Sequence, residues 1–271
     1  MKSWTLADIP WDRFDPAKVD PEMVKIVKAA AMVEYNGGDY AIYLCNVFHD
    51  DAEFQDAARH WAREEIRHGE ALARWARLAD PRFDFEAQFK RFTDGYRLPL
   101  EATASVRGSR TGELIARCIV ETGTSSYYTA LAEASEEPVL KAICRNIAAD
   151  EFRHYKLFYD HMKRYEARER PGLLTRARVI LRRLWEARGD DELPFAYYCA
   201  NPGEFAAYDR SVSGRAYSRR ASRYYRAHHI ERAVAMALKA LGIRPNGRIG
   251  LALAALARRW MAFEAGRLAR A

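Results

Sequence analysis

Residues 64–69 read Glu-Glu-Ile-Arg-His-Gly, and residues 148–154 read Ala-Ala-Asp-Glu-Phe-Arg-His. Each stretch contains a Glu-x-x-His pattern, which places a carboxylate and an imidazole about one turn apart on the same face of a helix. The two pairs are Glu65 with His68 and Glu151 with His154. The repeat predicts two helices that present the same kind of polar side chains to a shared interior.

A single glutamate precedes each pair at nearly the same distance. Glu34 lies 31 residues before Glu65, and Glu121 lies 30 residues before Glu151. In an antiparallel helix pair, residues equidistant from the turn face each other. The point midway between each single glutamate and the pair that follows it falls at a signal for a turn and a new helix. These signals are Asp50-Asp51-Ala52-Glu53 and Ser135-Glu136-Glu137-Pro138. We therefore expect both glutamates to lie opposite the pairs, in the middle of one bundle.

This pattern predicts two helical hairpins joined by a long crossover, the all-α topology of a ferritin-like four-helix bundle with additional C-terminal helices. The bundle helices are predicted from Pro21 (with Asp20 as N-cap) to about Phe48, from Asp50 to about Ala79, from about Ser109 to Ala134, and from Pro138 to about Glu169, with a connection over 80–108. Further helices are predicted over about 173–188, 211–241 and 247–269. Residues 1–170 are expected to form the bundle with its lead-in. Residues 171–271 are expected to form a basic extension that packs on the bundle or contacts partners.

Four carboxylates and two imidazoles in a core would be strongly destabilising without counter-charges, because each buried charge costs several kcal/mol. Two divalent metals bridged by carboxylates would neutralise them. Oxygen-rich ligation with one imidazole per metal favours iron, or manganese as second choice, over zinc. The predicted ligands are Glu34, Glu65, His68, Glu121, Glu151 and His154. Gly37 and Gly38 follow Glu34 by about one turn, and they predict either free space beside the metals or a helix kink.

The two quoted motifs resemble those of the acyl-acyl-carrier-protein desaturases, over roughly residues 25–165. The resemblance implies a di-iron centre, dioxygen as co-substrate and a threonine on the dioxygen side, here Thr124. It also implies an electron path from an N-terminal tryptophan, Trp4 or Trp11, through Asp150 to His68. Asp150 would hydrogen-bond the non-coordinating nitrogen of His68, and Glu64 would do the same for His154 by pseudo-symmetry.

The chain has no Cys-x-x-Cys pair, so a rubredoxin-type iron site is excluded, and no nucleotide fingerprint is present. An external electron donor is therefore required, and the resemblance implies a ferredoxin. Residues 171–271 contain 19 lysine and arginine residues against 8 aspartate and glutamate residues. A basic surface suits an acidic ferredoxin, an acidic acyl carrier protein or an anionic membrane surface. We expect a homodimer, and we do not expect nucleic acid as a partner.

The N-terminus lacks the apolar stretch of a signal peptide, and the longest apolar run is too short to span a membrane, which predicts a cytoplasmic protein. The leading hypothesis is an oxidase that desaturates or hydroxylates a long acyl chain. Two alternatives stay open at this stage. One is a ferritin-like hydroxylase of another substrate, such as a tRNA base, and the other is a ferritin-like protein that handles peroxide or iron.

Overall fold

The computed structural model describes residues 4–270, apart from the side chains of 187–189, 260–262 and 264–270. Helices form nearly all of the regular structure in this part of the chain. The described residues contain no strand, and the predicted all-α helical bundle is confirmed. The helices are α1 (Pro21–Tyr35), α2 (Gly37–Val47), α3 (Ala52–Ala79), α4 (Phe85–Gly95), α5 (Arg110–Ala134), α6 (Pro138–Glu169), α7 (Leu173–Gly189), α8 (Glu192–Ala200), α9 (Arg210–Ser222), α10 (Ala227–Leu241) and α11 (Arg248–Arg270). Three 3-10 turns precede them, at Leu6–Asp8, Trp11–Arg13 and Pro16–Lys18.

The bundle is made of two antiparallel pairs. In the first pair α1 and α2 pack along α3, in the second α5 packs along α6, and contacts between α3 and α6 join the two pairs. An apolar core runs along the bundle on each side of the polar middle. One part includes Trp75 and Tyr128, and the other includes Phe54 and Phe158.

Side-chain caps fix where the bundle helices begin. Asp20, Asp51, Ser109 and Glu137 each accept a hydrogen bond from a backbone N–H in the first turn of the following helix. Such caps satisfy donors that the helix itself leaves unpaired. The second bundle helix was predicted to begin at Asp50. In the structure Asp51, one residue later, is the cap and accepts from the Phe54 N–H.

The predicted continuous helix from Pro21 to Phe48 is wrong, because the chain ends α1 at Tyr35 and begins α2 at Gly37. Asn36 lies between them. A Cβ atom on Gly37 would lie 2.5 Å from the Glu65 Cβ, so α2 approaches α3 more closely than any other residue would allow. The glycines therefore mark a helix break with a close contact, and the space beside Gly37 is filled by α3.

The long connection over 80–108 contains a helix that the sequence analysis did not predict. Asp84 caps α4, and the aromatic side chains of Phe85 and Phe92 are buried. Pro81 and Pro99 flank this helix and are typical of a connection, which explains why the stretch was predicted as one. The helix predicted over 211–241 is likewise two helices, because the Arg226 N–H donates to His229 Nδ1 and starts α10 afresh.

The C-terminal helices pack against the bundle. Helices α8 and α9 contact α1, α7 and α10 contact α5, and α11 packs on α10 and α9. This packing buries part of the arginine-rich stretch of α9. Arg220 is buried and pairs with Glu22 and Glu204. Arg220 therefore belongs to the helix packing and does not extend the basic surface predicted for partners.

Candidate metal centre

All six predicted ligands converge in the middle of the bundle. Glu34 lies at the end of α1, one glutamate–histidine pair lies on α3, Glu121 lies on α5, and the second pair lies on α6. The six side chains are buried, with at most 7% exposed. They form the carboxylate–imidazole cluster, defined here as Glu34, Glu65, His68, Glu121, Glu151 and His154. Spacing along the sequence was sufficient to find every member.

The cluster divides into two overlapping groups whose candidate ligand atoms lie within 4.8 Å of one another. His68 Nδ1 lies 3.5 Å from Glu34 Oε2 and 3.3 Å from Glu151 Oε1. His154 Nδ1 lies 2.9 Å from Glu65 Oε1 and 3.8 Å from Glu121 Oε2. Glu65 and Glu151 belong to both groups. The arrangement therefore offers two metal positions, each with one imidazole and one terminal carboxylate, and two carboxylates that reach both positions.

The hydrogen-bond pattern tests whether these residues fit a metal pair. Each member of the cluster has one buried oxygen or Nδ1 atom with no hydrogen-bond partner. Buried polar atoms without partners are rare and costly in proteins, and here they are concentrated where their lone pairs would meet a cation. The donor set, four carboxylates and two imidazoles, is that of di-iron and di-manganese bundle proteins. The residues fit the metals that the sequence predicts.

The other imidazole nitrogen of each histidine contacts a buried carboxylate. Asp150 Oδ2 lies 3.0 Å from His68 Nε2, and Glu64 Oε2 lies 3.0 Å from His154 Nε2. A carboxylate in this position holds the proton on Nε2 and leaves Nδ1 free to coordinate. Both contacts were predicted from the sequence.

The same two acids carry arginine partners. Arg67 lies 3.1 Å from Glu64 and 3.3 Å from Asp150, and Arg153 reaches both acids as well, at 3.2 and 2.6 Å. Burial alone would raise the pKa of each acid, but the hydrogen bonds from histidine and arginine outweigh it and hold both pKa values below their usual range. Glu64 and Asp150 are therefore anions at neutral pH.

Two of the inner carboxylates show the opposite effect. Burial and the charge of Glu151 raise the pKa of both Glu65 and Glu121 well above the usual range. Protein groups alone therefore do not favour the ionised forms of these two carboxylates. Divalent cations between the carboxylates would reverse these shifts.

The N-terminal lead-in reaches the centre through Trp4. The Trp4 Nε1 donates to Asp150 Oδ2 at 2.8 Å, and the indole ring is parallel to the His68 ring, with centroids 5.9 Å apart. Arg67 lies over the indole at 4.9 Å. Trp11, the other candidate, donates to the Leu6 carbonyl oxygen instead. The geometry therefore selects Trp4 as the tryptophan beside Asp150.

Two hydroxyl groups contact the inner carboxylates. The Thr124 hydroxyl donates to Glu151 Oε2, and it also lies 3.3 Å from the backbone oxygens of Val120 and Glu121. The Tyr128 hydroxyl donates to Glu34 Oε1 at 2.6 Å. The sequence analysis did not include Tyr128 among the site residues. Its position one helical turn after Thr124, on the same face of α5, was the available signal.

A third group of ligand-type residues, Glu133, His228 and His229, lies at the start of α10. His229 is buried, and its Nδ1 accepts the Arg226 N–H at 2.9 Å. The ring proton of neutral His229 therefore lies on Nε2, 3.2 Å from Glu133 Oε2, and that nitrogen has no lone pair for a metal. His229 therefore caps the start of α10 and contacts Glu133, whereas the His228 side chain is 54% exposed.

None of the described helices is long and apolar enough to span a membrane. No curated protein matches the chain. A family model described as fatty acid desaturase matches residues 45–184, which is more than half of the chain and contains every member of the cluster except Glu34. Glu34 is brought to the same site by the fold, since α1 packs along α3. The chain therefore belongs to the fatty acid desaturase family.

Proposed function

We propose that the chain is a di-iron, dioxygen-dependent oxidase that removes hydrogen from an unactivated C–H bond of a long acyl substrate. The observation that carries the proposal is the cluster, in which six buried side chains each leave one polar atom without a partner. Membership of the fatty acid desaturase family supports the acyl substrate. The resemblance of the two motifs to the acyl-acyl-carrier-protein desaturases supports a carrier-bound chain.

The cluster would hold two irons, one near His68 and one near His154, with Glu65 and Glu151 shared between them. When bound and reduced, such a metal pair supplies the electrons and the binding site through which dioxygen becomes able to attack a C–H bond. Manganese suits the same donor set. The protein contributes the positions of the ligands, the exclusion of water from a buried site, and the placement of protons.

Several residues outside the cluster have roles that follow from their contacts. Asp150 and Glu64 hold the Nε2 protons of the two histidines and fix the tautomer that leaves Nδ1 free. The Thr124 hydroxyl keeps a proton beside Glu151 Oε2. We assign Thr124 to proton delivery at this carboxylate, and Asp150 to the orientation of His68.

Electrons would enter by way of Trp4 and Asp150. The indole contacts Asp150 at one edge and lies parallel to the imidazole of His68, so the three side chains form a continuous path to the cluster. Because the chain carries no electron-transfer cofactor motif, we propose an acidic ferredoxin-type donor. An acidic acyl carrier protein as substrate carrier and a homodimeric assembly belong to the same proposal.

The test begins with metal binding. The chain is loaded with ferrous iron without oxygen and the bound metal is counted, with Glu121→Gln as the test variant and Glu133→Gln as the control on the same helix. Glu121 belongs to the cluster, whereas Glu133 is partly exposed and pairs with histidines of α10. We expect two irons in the parent and in the control, and fewer in Glu121→Gln. Equal iron content in all three proteins would contradict the assigned site.

The second stage measures the reaction. Reduced protein is mixed with dioxygen and a long-chain acyl carrier protein, and the acyl product is analysed by mass spectrometry. Loss of two hydrogen atoms identifies desaturation, and gain of one oxygen atom identifies hydroxylation. An unchanged acyl chain, with dioxygen consumed at the same rate in its absence, would refute the acyl substrate.

A further inference from the structure

The outward face of α7 carries the most exposed large apolar side chains for which the structure gives an exposure. Leu174 is 84% exposed, Trp185 is 74% exposed and Leu181 is 66% exposed. They follow one another at intervals of seven and four residues, so they form one stripe along the helix. Leu173 and Leu184, each about half exposed, lie beside it. We call these five side chains the α7 apolar face.

The opposite side of α7 is fixed against the bundle by polar contacts. Arg176 pairs with Glu166 of α6, and Glu186 pairs with Arg107 of the segment before α5. Among the α7 side chains that the structure describes, Val179 and Ile180 are the buried apolar ones. A surface helix of a soluble domain usually turns its apolar stripe inward. Here the ion pairs hold the polar side inward, so rotation of α7 cannot bury the apolar face.

The apolar face is bordered by positive charge. Arg178 is exposed and lies within the stripe, between Leu174 and Leu181, and the Arg182 side chain is 61% exposed next to it. Glu186 is the only acidic residue of α7, and it is engaged by Arg107 and Arg182. A partner of this face must therefore accept apolar side chains and offer negative charge at the same time.

We propose that α7 lies flat on an anionic membrane surface, with its leucines and Trp185 in the boundary between headgroups and acyl chains. Interfacial helices combine leucine and aromatic residues on one face with arginine at its edges. The long arginine side chains can extend to lipid phosphates while their stems stay in apolar surroundings. Helix α11, which also packs on α10, exposes a second apolar stripe that includes Ile249, Leu256 and Phe263.

A second copy of the chain fits this face less well. In a two-fold contact the same patch meets itself, so the arginines of one copy would approach those of the other. Like charges brought together in an interface are strongly unfavourable. An anionic bilayer presents no such conflict, because its charge is opposite to that of Arg178 and Arg182. The proposal concerns the surface of the protein, and it holds or fails independently of the reaction at the metal centre.

The test is flotation of the purified full-length chain with two kinds of vesicle, phosphatidylcholine alone and phosphatidylcholine mixed with phosphatidylglycerol. We expect binding to the anionic vesicles and little binding to the neutral ones. The variant Leu181→Gln/Trp185→Gln should bind at least about tenfold more weakly, since two apolar anchors are lost. The matched control is Leu78→Gln, a partly exposed leucine on α3, which should bind like the parent.

Thermal unfolding and iron content of the double variant must match those of the parent, because both substituted side chains already face solvent. Arg178→Gln should weaken binding to anionic vesicles and leave the weak binding to neutral vesicles unchanged. The proposal would be overturned if the parent floated with neither kind of vesicle, or if the double variant floated as well as the parent. It would also be overturned if the parent bound no vesicles and formed a dimer that the double substitution converts to monomers. Capture of the acyl carrier protein by this face, again without vesicle binding, would overturn it in favour of carrier docking.

Discussion

Substitution of Gly69 by alanine should destabilise the bundle and loosen the metal site. Gly69 follows His68 on α3, where α1 crosses at very short distance. A Cβ atom at this position would lie 2.6 Å from the Tyr35 backbone nitrogen and 2.8 Å from the Ala31 backbone oxygen. Backbone atoms of a helix cannot rotate away as a side chain can, so α1 must shift as a unit.

The size of the effect follows from two opposed contributions. Overpacking of a core typically costs about 1–3 kcal/mol, whereas replacing glycine by alanine inside a helix gains about 0.5–1 kcal/mol. Because the contacts are with backbone atoms, the cost should lie in the upper part of its range, about 2–3 kcal/mol, and we expect a net loss of about 1–2.5 kcal/mol in the free energy of unfolding. The shift of α1 also moves Glu34, the residue before Tyr35, away from its partners. Iron content should fall together with stability.

Urea unfolding followed by circular dichroism measures the stability, and metal analysis measures the iron. Gly123→Ala is the matched control, since Gly123 lies in the middle of α5 and a Cβ atom there meets nothing within 4 Å. This control should be stabilised by about 0.5–1 kcal/mol and keep its iron. If Gly69→Ala is as stable as Gly123→Ala, the close contact between α1 and α3 does not limit packing, and the reasoning is refuted.

Three further variants test other parts of the structure. Glu192 is buried, and burial raises its pKa from 4.5 to about 7. Between pH 4.5 and pH 7 the folded protein therefore binds more protons than the unfolded chain does. The free energy of unfolding consequently falls as the pH rises through this range. Glu192→Gln should gain up to about 3 kcal/mol near pH 8 and little near pH 4.5, as measured by urea unfolding at both pH values; equal gains would contradict it. Asp150→Asn should weaken iron binding about 10–100-fold in competition with a chelator, whereas Asp160→Asn, on the exposed side of α6, should not. Trp4→Phe should lower the free energy of unfolding by about 1–3 kcal/mol, because charged Asp150 loses a hydrogen-bond donor, and an unchanged value in urea unfolding would exclude a formed contact.

The convergence of the carboxylate–imidazole cluster could be predicted from the sequence because hairpin geometry converts spacing along the chain into position in the bundle. Nearly equal distances, 31 and 30 residues, from Glu34 and Glu121 to the following glutamate–histidine pairs placed four helices in register, and the capping signals located both turns independently. The contact of Asp150 was predicted from its position one residue before Glu151, and that of Glu64 from the pseudo-symmetry of the two motifs. Local spacing of this kind is preserved whenever the helices form.

Features that depend on distant segments were not predictable in the same way. The break after Tyr35 arises because Gly37 meets Glu65 of another helix, and glycine alone permits either a kink or free space. The direction of the α7 apolar face is set by Arg107, 79 residues before Glu186, together with Glu166 of α6. An amphipathic pattern identifies two faces of a helix, but the partners decide which of them turns inward.

The paired arginines beside the carboxylate–imidazole cluster couple its two halves. Arg67 and Arg153 each contact both Glu64 and Asp150, so the four side chains form a closed ring across α3 and α6. The ring contains two positive and two negative charges, and each of its acids orients one histidine. A disturbance at either arginine consequently reaches both imidazoles. Loss of one arginine should therefore perturb both metal positions, and loss of the second should add less than the first.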